Sequence, residues 1–158
     1  MTRFSDTLCF DPDHGVVNKH FSYPFVISGQ ENLVVSQKHS YTGEKSMVLF
    51  KDHNSTPQLN IYGAKKGDIF YITAKVSKPN SLILVLQDKS SAEKFYISRK
   101  RTLRLDRLWH EVALFCELPE DKDSLAIYGW WTGNKKIFVD DFCLIVLKGS
   151  IINAIQQF

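Results

Sequence analysis

No stretch of this chain approaches the ~20 consecutive apolar residues of a membrane-spanning helix. The opening residues MTRFSDTLCF lack the apolar core of a secretory signal. Cysteine is scarce: Cys9, Cys116 and Cys143 have no metal-ligand spacing and show no zinc signature, and three cannot all pair. Cys116 and Cys143 sit among apolar neighbours, where a free thiol acts as a small hydrophobe. Free thiols are the expectation there, with a Cys116–Cys143 bridge as the alternative. Charge of one sign is also missing, since 20 Lys and Arg against 17 Asp and Glu leave a net charge of only +3. No large single-sign field results, and with no RNA-binding signature a nucleic-acid partner is not expected. The local exception is Arg99-Lys100-Arg101, continuing to Arg104 and Arg107. It reads as a solvated strand and turn, with contact to an anion or a polysaccharide as its functional alternative.

Catalytic signatures are lacking as well. Histidines 14, 20, 39, 53 and 110 show no metal spacing, and there is no nucleophile elbow, phosphate loop or motif-placed carboxylate pair. The chain is therefore expected not to be an enzyme.

What is present is β-structure. A chain of 158 residues can enclose one core, burying roughly two-thirds of its unfolded surface. Its 11 Phe and 6 Tyr favour strands. Period-two alternation, punctuated by turns rich in Gly, Pro, Asn and Asp, predicts strands at 7–10, 32–37, 45–50, 58–62, 68–77, 81–87, 94–98, 109–118, 124–131 and 136–147. Residues 11–29 are expected to be irregular and to wrap the edge. In Leu82-Ile83-Leu84-Val85-Leu86 both parities are apolar, so the parity that faces away from the core must be covered or lie at an interface. Strands without intervening helices imply two packed antiparallel sheets in one domain, 1–148, with 149–158 as a tail or the start of a connection.

Three blocks, in order, carry a family resemblance: His39-Ser40-Tyr41-Thr42-Gly43-Glu44-Lys45-Ser46-Met47, then Lys66 to Val76, then Trp109 to Leu147 with Leu118-Pro119 and Val139-Asp140-Asp141-Phe142. In these the chain resembles the jelly-roll carbohydrate-binding modules of galactose-binding-domain-like fold. The segment Ala126-Ile127-Tyr128-Gly129-Trp130-Trp131 looks most like accessory domains of large exported bacterial proteins. The first fifty or so residues depart from the family's opening, with Phe10-Asp11 the nearest equivalent of its aromatic–acidic pair. The resemblance implies an all-β jelly-roll sandwich whose 136–147 strand closes the edge. It also implies a non-catalytic glycan-binding module, extracellular or at the cell surface, within a longer exported chain; a cytosolic protein is the alternative. A spacer or protein-interaction domain joined to flanking domains is the rival function, and a jelly-roll lyase or hydrolase the third.

The resemblance further implies a structural calcium at Asp140 or Asp141 with Asp11 and turn carbonyls, since a hard cation takes six to eight oxygens. Successive strand residues point to opposite faces, so both aspartates reach one site only through a bulge. The alternative is an Asp satisfied by backbone donors. For glycan, the expected contacts are Tyr128 and Trp130, which share a parity, with polar help from Asn134, Lys135, Arg99 and Arg101. An exposed aromatic plane stacks on the C–H face of a pyranose. Trp131, which shares parity with Leu125 and Ile127, is the expected core ring, and Trp109 is expected to be structural. Against the platform stands the alternative that the Tyr128 and Trp130 rings pack beneath a loop.

Overall fold

Apolar residues that recur at every second position produce strands, and these strands stack as two antiparallel sheets. The computed structural model describes residues 5–19, 21, 23–89, 96–97 and 101–149. In chain order the strands are β1 (Ser5–Asp11), β2 (Gly15–Lys19), β3 (Phe25–Ser28), β4 (Val35–Ser36), β5 (Ser46–Leu49), β6 (Gln58–Ala64) and β7 (Ile69–Val76). They continue as β8 (Leu82–Asp88), β9 (Tyr96–Ile97), β10 (Arg101–Arg104), β11 (His110–Glu117), β12 (Lys122–Trp131) and β13 (Ile137–Leu147). One sheet runs β10-β11-β7-β13-β1-β2, with β5 also on β13 and β4 on β5; the other runs β3-β6-β12-β8-β9. The architecture is the all-β jelly-roll sandwich of the expectation. No helix among the described residues is long and apolar enough to cross a membrane.

The core lies between the sheets. Ile72, Leu114, Val139 and Leu144 from the first meet Leu59, Ile61, Leu84 and Ile127 from the second, all essentially inaccessible to water. At roughly 25 cal/mol per Å² of apolar area, this layer is the main stabilising contribution.

Four expectations need correction. The 11–29 segment is not irregular: β2 pairs with β1 and β3 with β6, so its two ends each add an edge strand to a different sheet. Residues 32–37 form only a 3-10 turn and the two-residue β4. The 136–147 strand does not close an edge. As β13 it lies inside its sheet, between β7 and β1. Finally, the disulfide joins Cys9 to Cys143, which face each other across β1 and β13, whereas Cys116 is a buried free thiol. Cys116 points into the core on the parity of Val112 and Leu114, so it cannot reach Cys143 on the outer parity of β13. The tail 150–158 lies outside the described residues.

Candidate functional site

The outer face of the five-stranded sheet carries a groove. Leu125 and Ile127 of β12 point inward, which sends Tyr128 and Trp130 outward. Their cross-strand neighbours on β8 are Val85 and Ile83. The second apolar parity of β8 therefore lies beside these two aromatic positions. Trp130 is 46% exposed, Tyr128 is half-buried, and Trp131 turns the other way and packs on the core. A hollow of about 580 Å³ is lined by Asn54, Ser55, Gln58, Tyr128 and Trp130.

One wall of this groove replaces a strand. β6 pairs with β12 only as far as Ile127, and beyond it residues 54–56 take over. Ser55 bridges to Trp130, Thr56 N donates to Gly129 O at 3.0 Å, and Trp131 N donates to Asn54 O at 2.7 Å. The buried hydroxyl of Thr56 accepts from Gly129 N at 2.9 Å. The chain comes this close because residue 129 is glycine: a Cβ there would lie 3.1 Å from Leu82 Cδ1 and 3.2 Å from Thr56 Cγ2.

Amides complete the floor. Gln58 Nε2 donates to Asn60 Oδ1 at 2.7 Å, and the buried Asn60 in turn donates to Val26 O at 3.0 Å and Ser28 Oγ at 3.2 Å. Tyr128 OH donates to Gln87 Oε1 at 3.4 Å. Asn54, Ser55 and Gln58 were missed from sequence. For Gln58 a signal existed, since it shares the outward parity of β6 with Asn60 and Tyr62. For Asn54 and Ser55 there was none, because they lie on no predicted strand.

Two of the polar helpers expected from sequence, Asn134 and Lys135, are not among the described residues that line this groove. Asn134 and Lys135 are exposed in the turn between β12 and β13, where Lys135 O accepts from Trp131 Nε1 at 2.9 Å. Arg101 lies on β10, an edge of the opposite sheet, and Arg99 lies outside the described residues.

The acidic pair sits where β13 changes partner. Ile137, Phe138 and Val139 pair with β5, whereas Phe142 onward pairs with β1. Between them the register against β7 shifts by one residue, from Asp140 opposite Lys75 to Cys143 opposite Thr73. Asp141 takes up the extra residue with φ of 48°, in the left-handed region that Asp tolerates better than most side chains. The required bulge is therefore present. Asp11, Asp140 and Asp141 each place a carboxylate oxygen within 4.8 Å of the others.

The 39–45 turn folds over these carboxylates. Asp140 Oδ2 accepts from Tyr41 N at 2.9 Å and Thr42 N at 3.1 Å, and Oδ1 accepts from Asp141 N at 2.9 Å. Asp141 accepts from the Thr42 hydroxyl at 2.8 Å, while Asp13 accepts from Glu44 N and Lys45 N. Asp11 meets His14 Nδ1 at 3.1 Å. Asp140 is wholly buried, and burial pushes its pKa up to about 6, helped by the charge of Asp141 and opposed by the three N–H donors.

This donor set fits a hard cation. A carboxylate has about four acceptor positions, so Asp140 keeps capacity beyond its three N–H bonds. The buried Ser46 Oγ, on the residue next to Met47, which pairs with Val139, has no hydrogen-bond partner among the described residues.

No protein-family model matches the chain, and no characterised protein matches it in sequence. Solved structures do. The CBM22-1 xylan-binding domain of Paenibacillus barcinonensis Xyn10C superposes with a TM-score of 0.58 at 14% identity, over 94% of this chain and 99% of that one. The CBM22-1–GH10 modules of Clostridium thermocellum endo-1,4-β-D-xylanase 10B, complexed with xylohexaose, match with a TM-score of 0.53 at 12% identity. That match covers 80% of this chain and 26% of that two-module chain. The likeness lies in the fold: a galactose-binding-like jelly roll of the kind found in carbohydrate-binding modules.

Proposed function

We propose that the chain is a non-catalytic glycan-binding module whose ligand lies along the outer face of the five-stranded sheet. The observation that carries this reading is the half-exposed Trp130 ring, set beside Tyr128 in an open groove with amide and hydroxyl groups along it. The ring supplies a stacking plane for the apolar face of a sugar. Gln58 commits its amide nitrogen to Asn60, which presents its carbonyl to a sugar hydroxyl. Ser55 and Asn54 add donors and acceptors on a wall held to β12 by backbone hydrogen bonds. The likeness to xylan-binding domains supports a β-1,4-linked backbone as the first ligand to try.

Asp11, Asp140 and Asp141 would hold a structural calcium, which neutralises the carboxylates beneath the 39–45 turn. The Cys9–Cys143 disulfide supports residence in an oxidising compartment, as part of an exported or surface polypeptide.

Affinity electrophoresis on xylan, mannan and β-glucan gels tests the reading. Wild type is retarded on at least one gel and Trp130→Ala runs freely on all. Equal mobility of the two proteins on every gel refutes it.

A further inference from the structure

Behind the Asn54–Ser55 wall lies a second hollow, and the glycan reading does not use it. It measures about 210 Å³, against about 580 Å³ for the groove, and it is lined among others by Asn32, Leu33, Asp52 and His53. Asn54 and Ser55 line both hollows. One residue's thickness of chain therefore separates them.

The second hollow is built from two braced segments. On one side, residues 29–34 run beside β5, where Val48 N donates to Val34 O at 2.9 Å. On the other, Phe50 and His53 close a hairpin with reciprocal backbone hydrogen bonds of 3.0 Å each, and their rings meet at 5.1 Å between centroids. The wall itself is tied to Gly129 and Trp131 of β12, so it holds both hollows in fixed relation.

The chemistry is that of one small, neutral, hydroxyl-bearing group. The Asp52 carboxylate accepts hydroxyl hydrogen bonds, while His53 and Asn32 each offer a donor and an acceptor. Leu33 supplies an apolar contact. Among the described residues no Lys or Arg lines the hollow, so there an acidic group meets the Asp52 carboxylate with no cation to offset it. Its volume lies below the range of pockets that enclose drug-sized ligands.

We propose that this hollow is a branch subsite: it receives a neutral side-chain sugar from a polysaccharide whose main chain lies in the Trp130 groove. The proposal rests on the glycan reading of that groove. It makes Asp52 and His53 determinants of preference for decorated over plain chains.

Calorimetric titration separates the two ideas. The probes are xylohexaose, the same chain bearing one arabinose, the same chain bearing one glucuronic acid, and the matched pair of mannan and galactose-branched mannan oligosaccharides. On one of these backbones, wild type binds the neutral-branched chain about tenfold more tightly than the plain one, the size of one hydrogen bond to a charged group. The acid-branched chain shows no such gain. Asp52→Ala and His53→Ala remove the gain and leave the affinity for the plain chain unchanged, which also shows that both variants are folded. Trp130→Ala loses plain and branched chains alike. Equal affinity of wild type for plain and branched chains, or a gain that survives Asp52→Ala with His53→Ala, overturns the subsite and leaves the groove standing. Wild type binding none of the probes removes groove and subsite together.

Discussion

Raising the pH in a metal-free buffer should destabilise this protein across an unusual window. In the unfolded chain the Asp140 carboxyl titrates at its ordinary value of 3.8, whereas in the folded protein burial lifts it to about 6. Between these values the folded state binds more protons than the unfolded one. The contribution of Asp140 to stability is therefore full below the unfolded pKa and is lost as pH rises to the folded pKa. A difference of about two pKa units corresponds to about 3 kcal/mol. For a chain of this length that amounts to a fall in melting midpoint of about 6–12 °C. Asp13 and Asp106, whose carboxyls are held below the usual range by backbone N–H donors, oppose this only below about pH 4. His14, raised by its hydrogen bond to Asp11, loses its contribution only above its ordinary value of 6.5. The shift of Asp140 spans the window between. Thermal melts in EDTA from about pH 4 to about pH 6 measure the fall, and Asp140→Asn abolishes the slope. On the proposal that the three carboxylates hold calcium, added calcium restores the lost midpoint. A midpoint in EDTA that stays level or climbs across this window refutes the burial argument. A midpoint that falls but does not respond to calcium leaves the linkage intact and removes the cation.

Three further outcomes follow from the packing. Trp130→Ala changes stability by no more than about 0.5 kcal/mol because its ring is half in water, whereas Trp131→Ala removes a core-packed ring and costs about 3 kcal/mol by chemical denaturation. Thr56→Val keeps the shape of the wall but leaves Gly129 N without its acceptor; it lowers stability by about 1–3 kcal/mol and weakens glycan retention, both read on one purified variant. Cys9→Ser opens a loop of sequence separation 134 and lowers stability by about 2–5 kcal/mol, with wild type in reductant matching it in denaturant melts.

The strands and the sandwich were legible because alternation is a local signal. Leu59 and Ile61, or Leu125 and Ile127, declare a buried face without reference to anything distant. The same alternation correctly set Trp130 outward and Trp131 inward. Edge strands declared themselves poorly. Phe25–Ser28 carries Pro24 before it and its burial alternates only between half-buried and exposed, so nothing marks it as a strand until β6 lies alongside. The disulfide was illegible for a related reason: Cys9 meets Cys143 only because the first and last strands pair, which is a property of topology. The basic run was read as a strand, and β10 is one, but chain order gives no sign that it leaves the sheet of its predecessor β9 and so departs from the Trp130 face.

What neither pattern nor composition displays is the place where a long strand exchanges one neighbour for another, and both candidate sites occupy such places. β12 and β13 are the longest strands, at 10 and 11 residues, and each outruns its partner on one side. On β13 the gap between β5 and β1 falls at Asp140 and Asp141. Backbone groups freed there are replaced by a bulge and by the 39–45 turn, whose N–H groups converge on carboxylates. On β12 the gap after Ile127 is filled by residues 54–56, which pair for three residues and then veer away, leaving the hollow that exposes Trp130. A continuous partner strand would place a regular row of side chains across Tyr128 and Trp130 and fill that hollow. Interrupted pairing therefore does at both positions what an uninterrupted ladder cannot: it keeps the backbone hydrogen-bonded while opening a concave, polar site on an otherwise closed sheet.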